Sequence, residues 1–179
     1  MKMLCLVVGK LQTNCYILYE DGKCIIVDPG DEENNIIKKI TKLKVTPIAI
    51  LLTHNHFDHT MCADSLSSFY KVPVYDYKNL MEGNKKIGPF SFETIYTPGH
   101  SNTCLTFYFK DYDMMLVGDF VFKESVGRVD LPGGNYQKMI ESLKKIKEYD
   151  DNIDLFPGHG DKTTIGHEKK HNYYFKQVM

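Results

Sequence analysis

Four potential metal ligands fall within six residues of the chain, in the segment His54-Asn55-His56-Phe57-Asp58-His59. Imidazole and carboxylate groups together suit zinc, and also iron or manganese. His54 and His56 alternate along an extended segment and can therefore face the same side. Asp58 and His59 begin the following turn and can face a neighbouring position. The spacing favours two metal positions over one.

Three further candidate ligands each follow a glycine at the end of a predicted strand. They are His100 in Thr-Pro-Gly-His, Asp119 in Val-Gly-Asp and His159 in Phe-Pro-Gly-His. Glycine lets the backbone turn sharply and approach a ligand closely. Together with the first segment, these residues supply seven ligands, which is enough for two metal ions that share a carboxylate.

The hydrophobic pattern predicts the elements that must position these groups. Residues 48–52 form a continuous apolar run, which is typical of a strand buried on both faces, and this run leads directly to His54. Other strands are predicted at 4–8, 14–19, 23–27, 72–75, 90–96, 104–109, 113–118 and 153–156. Helices are predicted at 32–44, 60–69, 136–146 and 166–176. This order indicates a layered α/β protein, with two sheets or one bent sheet covered by helices, in a single domain over residues 1–179.

Composition excludes several classes of protein. The 22 basic and 23 acidic residues give a net charge of −1, so the basic surplus required for sequence-independent nucleic-acid binding is missing. No apolar run approaches the length of a membrane span, and the first residues lack the layout of a signal peptide. Five cysteines without a Cys-x-x-Cys pair are typical of free thiols in a reducing compartment. We therefore predict a cytoplasmic protein that binds neither nucleic acid nor membrane.

The seven candidate ligands, in their order and with their glycines, resemble the five-part signature of the metallo-β-lactamase-fold hydrolases. Three other stretches are similar to the short, glyoxalase II-like (hydroxyacylglutathione hydrolase-like) branch of that family. These are residues 11–16, residues 127–134, and residues 163–168 together with Asn172. The resemblance extends over essentially the whole chain.

This resemblance implies a four-layer αββα sandwich with two divalent metal ions, most commonly zinc, at one edge of the two sheets. It implies that one ion is held by His54, His56 and His100. The other would be held by Asp58, His59 and His159, with Asp119 bridging the two. The aspartate at position 28 matches a family residue that is expected to brace the metal loop.

The resemblance also implies a mechanism in which a metal-bridging hydroxide attacks the substrate carbonyl. Asp58 and Asp119 are then the catalytic residues, with Asp58 orienting the hydroxide. A thiolate leaves readily near neutral pH, so a small-molecule thioester or ester substrate needs no strong general acid. Arg128 is the best candidate for substrate binding, because a guanidinium suits a carboxylate. Lys162 is a weaker candidate.

Several alternatives stay open at this stage. Glyoxalase II enzymes carry an additional C-terminal helical region that binds glutathione, and this chain stops about where that region would begin. Whether the thioester substrate is one of glutathione is therefore left open. A mononuclear iron dioxygenase acting on a glutathione persulfide is the main alternative, and a lactonase is another. The non-enzyme alternative is a metal-binding module for storage or redox sensing. The oligomeric state is left open.

Overall fold

Two β-sheets face each other in the computed structural model, which describes residues 1–178. The first sheet has five strands in sequence order, and β4 and β5 run parallel to β3, whereas β1 and β2 are antiparallel neighbours. Its strands are β1 (Lys2–Val8), β2 (Thr13–Glu20), β3 (Lys23–Val27), β4 (Thr46–Leu51) and β5 (Val74–Tyr75).

The second sheet has six strands in the order β13-β12-β9-β8-β7-β6, and a separate hairpin joins β10 to β11. Because β8 is antiparallel to both β7 and β9, and β12 is parallel to β9, the strands β7, β9 and β12 run in one direction. The bounds are β6 (Gly83–Ile87), β7 (Phe90–Tyr96), β8 (Leu105–Phe109), β9 (Met114–Gly118), β10 (Val121–Phe122), β11 (Ser125–Val126), β12 (Asp154–Pro157) and β13 (Thr163–Thr164).

Six α-helices complete the fold. None of the helices within residues 1–178 is long and apolar enough to span a membrane. They are α1 (Glu33–Leu43), α2 (Phe57–Thr60), α3 (Ala63–Tyr70), α4 (Tyr136–Ile146), α5 (Ile165–His171) and α6 (Tyr173–Gln177).

Three apolar clusters hold the layers together. Alternate residues of a strand point to opposite faces, so Ile25 packs between the sheets, whereas Ile26 packs beneath α1 and α3. The cluster between the sheets also receives Phe107 and Leu116 from the second sheet. The outer face of the second sheet packs against α4, α5 and α6, with Met139 fully buried there. The layers therefore follow the order helix, sheet, sheet, helix, which confirms the predicted αββα sandwich.

Most predicted elements are present, but two predicted helices are each divided. The helix predicted at 60–69 is interrupted because the backbone N–H of Cys62 bonds to the carbonyl of Pro29 rather than continuing α2. The helix predicted at 166–176 breaks at Asn172, whose backbone is extended and whose side chain accepts a hydrogen bond from the N–H of Tyr174. The strand β6 was not predicted, because its sequence Gly-Asn-Lys-Lys-Ile carries the charges typical of an edge strand.

Four of the five cysteine thiols are buried, and that of Cys5 is exposed.

Candidate metal centre

All seven predicted ligands meet at one edge of the sandwich. The segment 54–59 follows β4, the last long strand of the first sheet. His100, Asp119 and His159 follow β7, β9 and β12, whose carboxyl ends lie together because these strands run in one direction. Thr13 of β2 forms an isolated bridge with His159 and thereby joins the two sheets at this edge.

The ligand atoms fall into two groups, which we call group A (His54, His56 and His100) and group B (Asp58, His59 and His159). Within each group, one nitrogen or oxygen of every residue lies within 4.8 Å of the others. In group A, His100 Nε2 is 2.8 Å from His56 Nδ1. In group B, Asp58 Oδ2 is 3.2 Å from His159 Nε2 and 3.5 Å from His59 Nε2.

Asp119 lies between the groups. Its Oδ1 is 3.3 Å from His59 Nε2 in group B, and its Oδ2 is 3.5 Å from His100 Nε2 in group A. The position of this carboxylate depends on Gly158, since a Cβ there would lie 2.2 Å from Asp119 Oδ1. A side chain at 158 would therefore clash with this carboxylate and with the His59 ring, 2.6 Å from the same Cβ position.

The residues fit metal binding on two counts. First, His54 Nε2, His59 Nε2 and Asp119 Oδ1 are buried and have no hydrogen-bond partner within residues 1–178. Buried polar atoms normally have such a partner, so three of them pointing into one cluster indicate a cation as the partner. Second, donor atoms that bind zinc tetrahedrally at about 2.0–2.1 Å lie about 3.3 Å apart. The spacings within group B and between group B and Asp119 are close to this value, at 3.2–3.6 Å.

Asp28 braces the metal loop, as predicted. This carboxylate is 1% exposed. It accepts hydrogen bonds from the backbone N–H of Thr53 at 2.8 Å and from the Thr53 hydroxyl at 2.6 Å, and its Oδ2 lies 2.9 Å from His59 Nδ1. A carboxylate on the far nitrogen of a ligating imidazole fixes the orientation of the ring and raises its basicity as a ligand.

Other ligands are oriented by groups that the sequence did not reveal. His100 Nδ1 lies 2.7 Å from the carbonyl oxygen of Arg128, and His159 Nδ1 lies 3.3 Å from that of Gln12. The Thr13 hydroxyl donates to Asp58 Oδ2 at 3.2 Å. A backbone carbonyl cannot be recognised from the type of its residue. Of these three groups, only the Thr13 side chain could have been found from the sequence, because Thr13 lies within the segment 11–16 that resembles the glyoxalase II-like branch.

The same segment holds the loop that presents His159. The Asn14 side-chain amide donates to the carbonyl oxygens of Pro157 at 3.0 Å and Gly160 at 2.9 Å. The Tyr16 hydroxyl donates to the Pro157 carbonyl at 2.6 Å. The first sheet therefore fixes a ligand that belongs, by its strand, to the second sheet.

Burial and neighbouring charges set the protonation of the cluster. Burial lowers the pKa of His54 well below its usual value, and the adjacent imidazoles lower it further. Burial raises the pKa of Asp58, but the hydrogen bond with His159 and the charge of His59 outweigh this effect and bring it to about 2. Burial lowers the pKa of His59, but the carboxylates of Asp28 and Asp119 raise it to about 10. The cluster thus has a neutral imidazole at His54, an ionised carboxylate at Asp58 and an imidazole at His59 whose positive form is favoured by two carboxylates.

A cavity of about 860 Å³ opens directly above the two groups. Arg128 lines it, but its guanidinium donates from Nε and Nη2 to the Asp130 carboxylate at 2.8 Å and is 63% exposed. Lys162 does not line the cavity and pairs with Asp154 at 2.9 Å. The apolar part of the lining comprises Leu11, Phe57, Phe122, Val126, Leu131 and Pro132.

A buried carboxylate supports the hairpin that forms one wall of this cavity. Glu168, in α5, is fully buried and accepts hydrogen bonds from the Thr163 hydroxyl at 2.5 Å and the Asn172 amide at 2.7 Å. It also accepts from the backbone N–H of Glu124 at 2.9 Å, in the turn between β10 and β11. The segment 163–168 with Asn172 therefore acts on the cavity through the hairpin rather than by direct contact.

Comparison with known proteins gives the family. The profile of the metallo-beta-lactamase superfamily matches residues 8–83 and 75–159. The probable metallo-hydrolase YqgX of Bacillus subtilis (strain 168) is 35% identical over 196 aligned residues, which cover 92% of this chain and 93% of that protein. The hydroxyacylglutathione hydrolase GloC of Haemophilus influenzae is 29% identical, with 92% of this chain and 93% of that protein covered.

Solved structures agree with the sequence matches. The crystal structure of the BLEG-1 B3 metallo-beta-lactamase is 31% identical, covers 97% of this chain and 99% of its own, and superposes with a TM-score of 0.93. The structure of TTHA1623 in a di-iron-bound form is 30% identical, covers 96% of this chain and 99% of its own, and superposes with a TM-score of 0.89. On these grounds, the chain belongs to the metallo-beta-lactamase superfamily.

Proposed function

We propose that the protein is a metal-dependent hydrolase that cleaves thioesters with the help of two divalent metal ions. The observation that carries this proposal is the position of Asp119. Its Oδ2 lies between the groups, 3.5 Å from His100 Nε2 in group A and 3.6 Å from His159 Nε2 in group B, and its Oδ1 lies 3.3 Å from His59 Nε2 in group B. A carboxylate in that position suits two ions held side by side, beneath a cavity that admits a small molecule.

Group A would hold one ion, group B would hold the other, and Asp119 would be shared. When bound, the ions supply Lewis-acid activation of water and of the substrate carbonyl. Zinc is the metal we propose, because five of the seven ligands are imidazoles. The di-iron form of TTHA1623 makes iron the second candidate.

Asp58 is the residue that would orient the attacking water. Its carboxylate lines the cavity and is held at Oδ2 by Thr13 and His159. It is ionised, so it can accept a hydrogen bond from water and direct the water oxygen to the substrate carbonyl carbon. A bond forms between these two atoms and the carbon–sulfur bond breaks. The sulfur departs with the electron pair as a thiolate, the proton that the water loses passes to solvent, and the thiolate takes up a proton from solvent. The products are a carboxylic acid and a thiol.

The composition of the cavity favours a thioester over other acyl compounds. Apart from the ligand residues, its polar lining within residues 1–178 consists of Asn55, Ser101, Asn102, Ser125 and Arg128. None of these side chains titrates near neutral pH, so none is suited to protonate a leaving group. A thiolate leaves without prior protonation, because a thiol has a pKa of about 8.5. The name of the relative GloC, a hydroxyacylglutathione hydrolase, supports the same reaction class.

A β-lactam is the second candidate substrate, because BLEG-1 is named a B3 metallo-beta-lactamase. Its leaving group is an amine nitrogen, which must be protonated on departure. The cavity provides no additional side chain for that step in the part of the chain that the structure describes. We therefore place thioesters first.

The test is metal analysis and a substrate panel on one purified sample. We expect two metal ions per chain and hydrolysis of thioesters, with weaker or no hydrolysis of lactones and β-lactams. One iron per chain with sulfide-dependent oxygen uptake would instead identify a persulfide dioxygenase. A fully metallated protein that hydrolyses nothing in the panel would identify a metal-binding module.

A further inference from the structure

Two large apolar side chains at the mouth of the cavity stand in solvent. Leu11, between β1 and β2, is 54% exposed, and Phe57, at the start of α2, is 64% exposed. Both residues line the cavity above the ligand groups. Apolar surface in water is stabilised when another apolar group covers it, in proportion to the area covered. These two side chains are therefore suited to contact an apolar part of the substrate.

The same two side chains extend beyond the cavity. A second depression, of about 240 Å³, shares Leu11, Phe57 and Asp58 with it. The other charged side chains that line this depression, Lys10 and Asp31, are of opposite sign. A chain attached to a carbonyl group near Asp58 can therefore run across Leu11 and Phe57 and, beyond Asp58 itself, meets no net charge.

The cavity contains few charged side chains that could bind a charged substrate. Within residues 1–178, Arg128 is the one charged residue that lines it outside groups A and B and Asp119. Its guanidinium already makes two hydrogen bonds to Asp130. This pairing uses two of the five N–H donors of the guanidinium, and the Asp130 carboxylate offsets its charge. The lining therefore offers one cationic side chain, already paired, to substrates with several charges, such as glutathione conjugates.

We infer that the substrate is a thioester with an uncharged, apolar acyl chain, and that Leu11 and Phe57 bind this chain. The inference rests on the proposed thioesterase function and specifies its substrate class. Specificity then comes from the length of the acyl chain rather than from recognition of a charged thiol.

Chain length provides the test. Thioesters of one neutral thiol, N-acetylcysteamine, are compared from acetyl to octanoyl with the metal-loaded protein. We expect kcat/KM to rise about twofold to fourfold for each added methylene, up to the limit of the apolar surface. A non-hydrolysable S-octyl thioether of the same thiol should bind with a negative change in heat capacity, which reports burial of apolar surface independently of turnover.

Two variants and one control test whether Leu11 and Phe57 cause the preference for a long acyl chain. Phe57→Ser should lower the ratio of octanoyl to acetyl kcat/KM by about tenfold, and Leu11→Ser should lower it in the same direction. Phe69→Ser is the control, because Phe69 lies in α3 with 61% exposure and does not line the cavity. The control should keep the ratio of the unaltered protein.

Two kinds of result would overturn the inference. An octanoyl-to-acetyl ratio near one, or faster hydrolysis of octanoylglutathione than of octanoyl-N-acetylcysteamine, would exclude the substrate class and leave the thioesterase function intact. Absence of hydrolysis with every thioester would remove the proposed function and this inference with it.

Discussion

Groups A and B face the same cavity but differ in charge. Group A consists of three imidazoles, whereas group B includes the ionised carboxylate of Asp58. Nitrogen ligands favour borderline metals such as zinc, and a carboxylate oxygen extends the choice towards iron and manganese. The two positions are therefore expected to differ in the metals that they accept and in how firmly they hold them.

The groups also differ in their support from the surrounding protein. Every member of group B has a partner outside the group: Thr13 for Asp58, Asp28 for His59 and the Gln12 carbonyl for His159. In group A, His54 Nδ1 lies 3.1 Å from the Thr53 hydroxyl and His100 is held by a backbone carbonyl, whereas His56 is partly exposed. Because supported ligands lose less freedom on binding, group B should hold its ion more tightly.

The largest expected effect comes from the residue that both groups share. Asp119→Asn keeps the size of the side chain but removes its charge, so both positions lose affinity. We expect the metal content to fall below two ions per chain and thioester hydrolysis to fall by about 10³-fold or more. The measurements are elemental analysis and kcat/KM on the same sample. Two retained ions with normal turnover would contradict the role of Asp119.

The second prediction compares metal binding at group A with metal binding at group B. His56→Ala should leave one ion bound at group B, whereas Asp58→Ala should weaken the tighter position and leave the protein with less metal after dialysis against a weak chelator. Both changes should lower hydrolysis, by about 100-fold or more. Equal metal retention in the two variants would show that the difference in charge and support has no consequence for binding.

A smaller loss of metal affinity or activity is expected when the hydrogen-bond partner of a candidate ligand is changed and the ligand itself is kept. Asp28→Asn should lower metal affinity or activity by about 10-fold to 100-fold, because His59 loses its carboxylate partner. Asparagine tolerates the positive φ of 50° at this position. Asp21→Asn is the matched control, since Asp21 also has a positive φ but lies in the turn between β2 and β3. A decrease of similar size in the control would exclude a role specific to His59.

The smallest expected effect tests one hydrogen bond within group B. Thr13→Val removes the hydroxyl that donates to Asp58 Oδ2 and leaves the shape of the side chain nearly unchanged. We expect kcat/KM to fall by about threefold to tenfold, since a hydrogen bond to a charged group in a partly open site makes a modest contribution. Unchanged kinetics would show that His159 alone is sufficient to position Asp58.

How far the sequence predicts this centre depends on the kind of group involved. The seven candidate ligands were predicted because ligating side chains have a recognisable type and spacing. The carbonyl of Arg128, which orients His100, was not predicted, because every residue has a carbonyl and only the fold selects one. The guanidinium of Arg128 drew attention for its charge, and its pairing with Asp130 depends on loop geometry that residue spacing does not fix. That Arg128 binds substrate stays a prediction.

The same distinction applies to the fold. Strands such as 23–27 and 90–96 were predicted with the correct bounds, because their apolar residues must be buried. At the break, the Asn172 side chain donates to Glu168, four residues earlier, and to the Ser125 carbonyl, which is a distant contact that local periodicity does not encode. Short elements such as β13 exist only because a neighbouring strand pairs with them.

The order of the ligands along the chain has a consequence for biosynthesis. The last member of group A is residue 100, whereas group B is completed only by residue 159, which the N-terminal strands then hold in place. At about 5–20 residues per second, a ribosome needs about 3–12 s to make the intervening stretch of about 60 residues. If two ions bind as proposed, the three imidazoles of group A are therefore synthesised several seconds before the last member of group B.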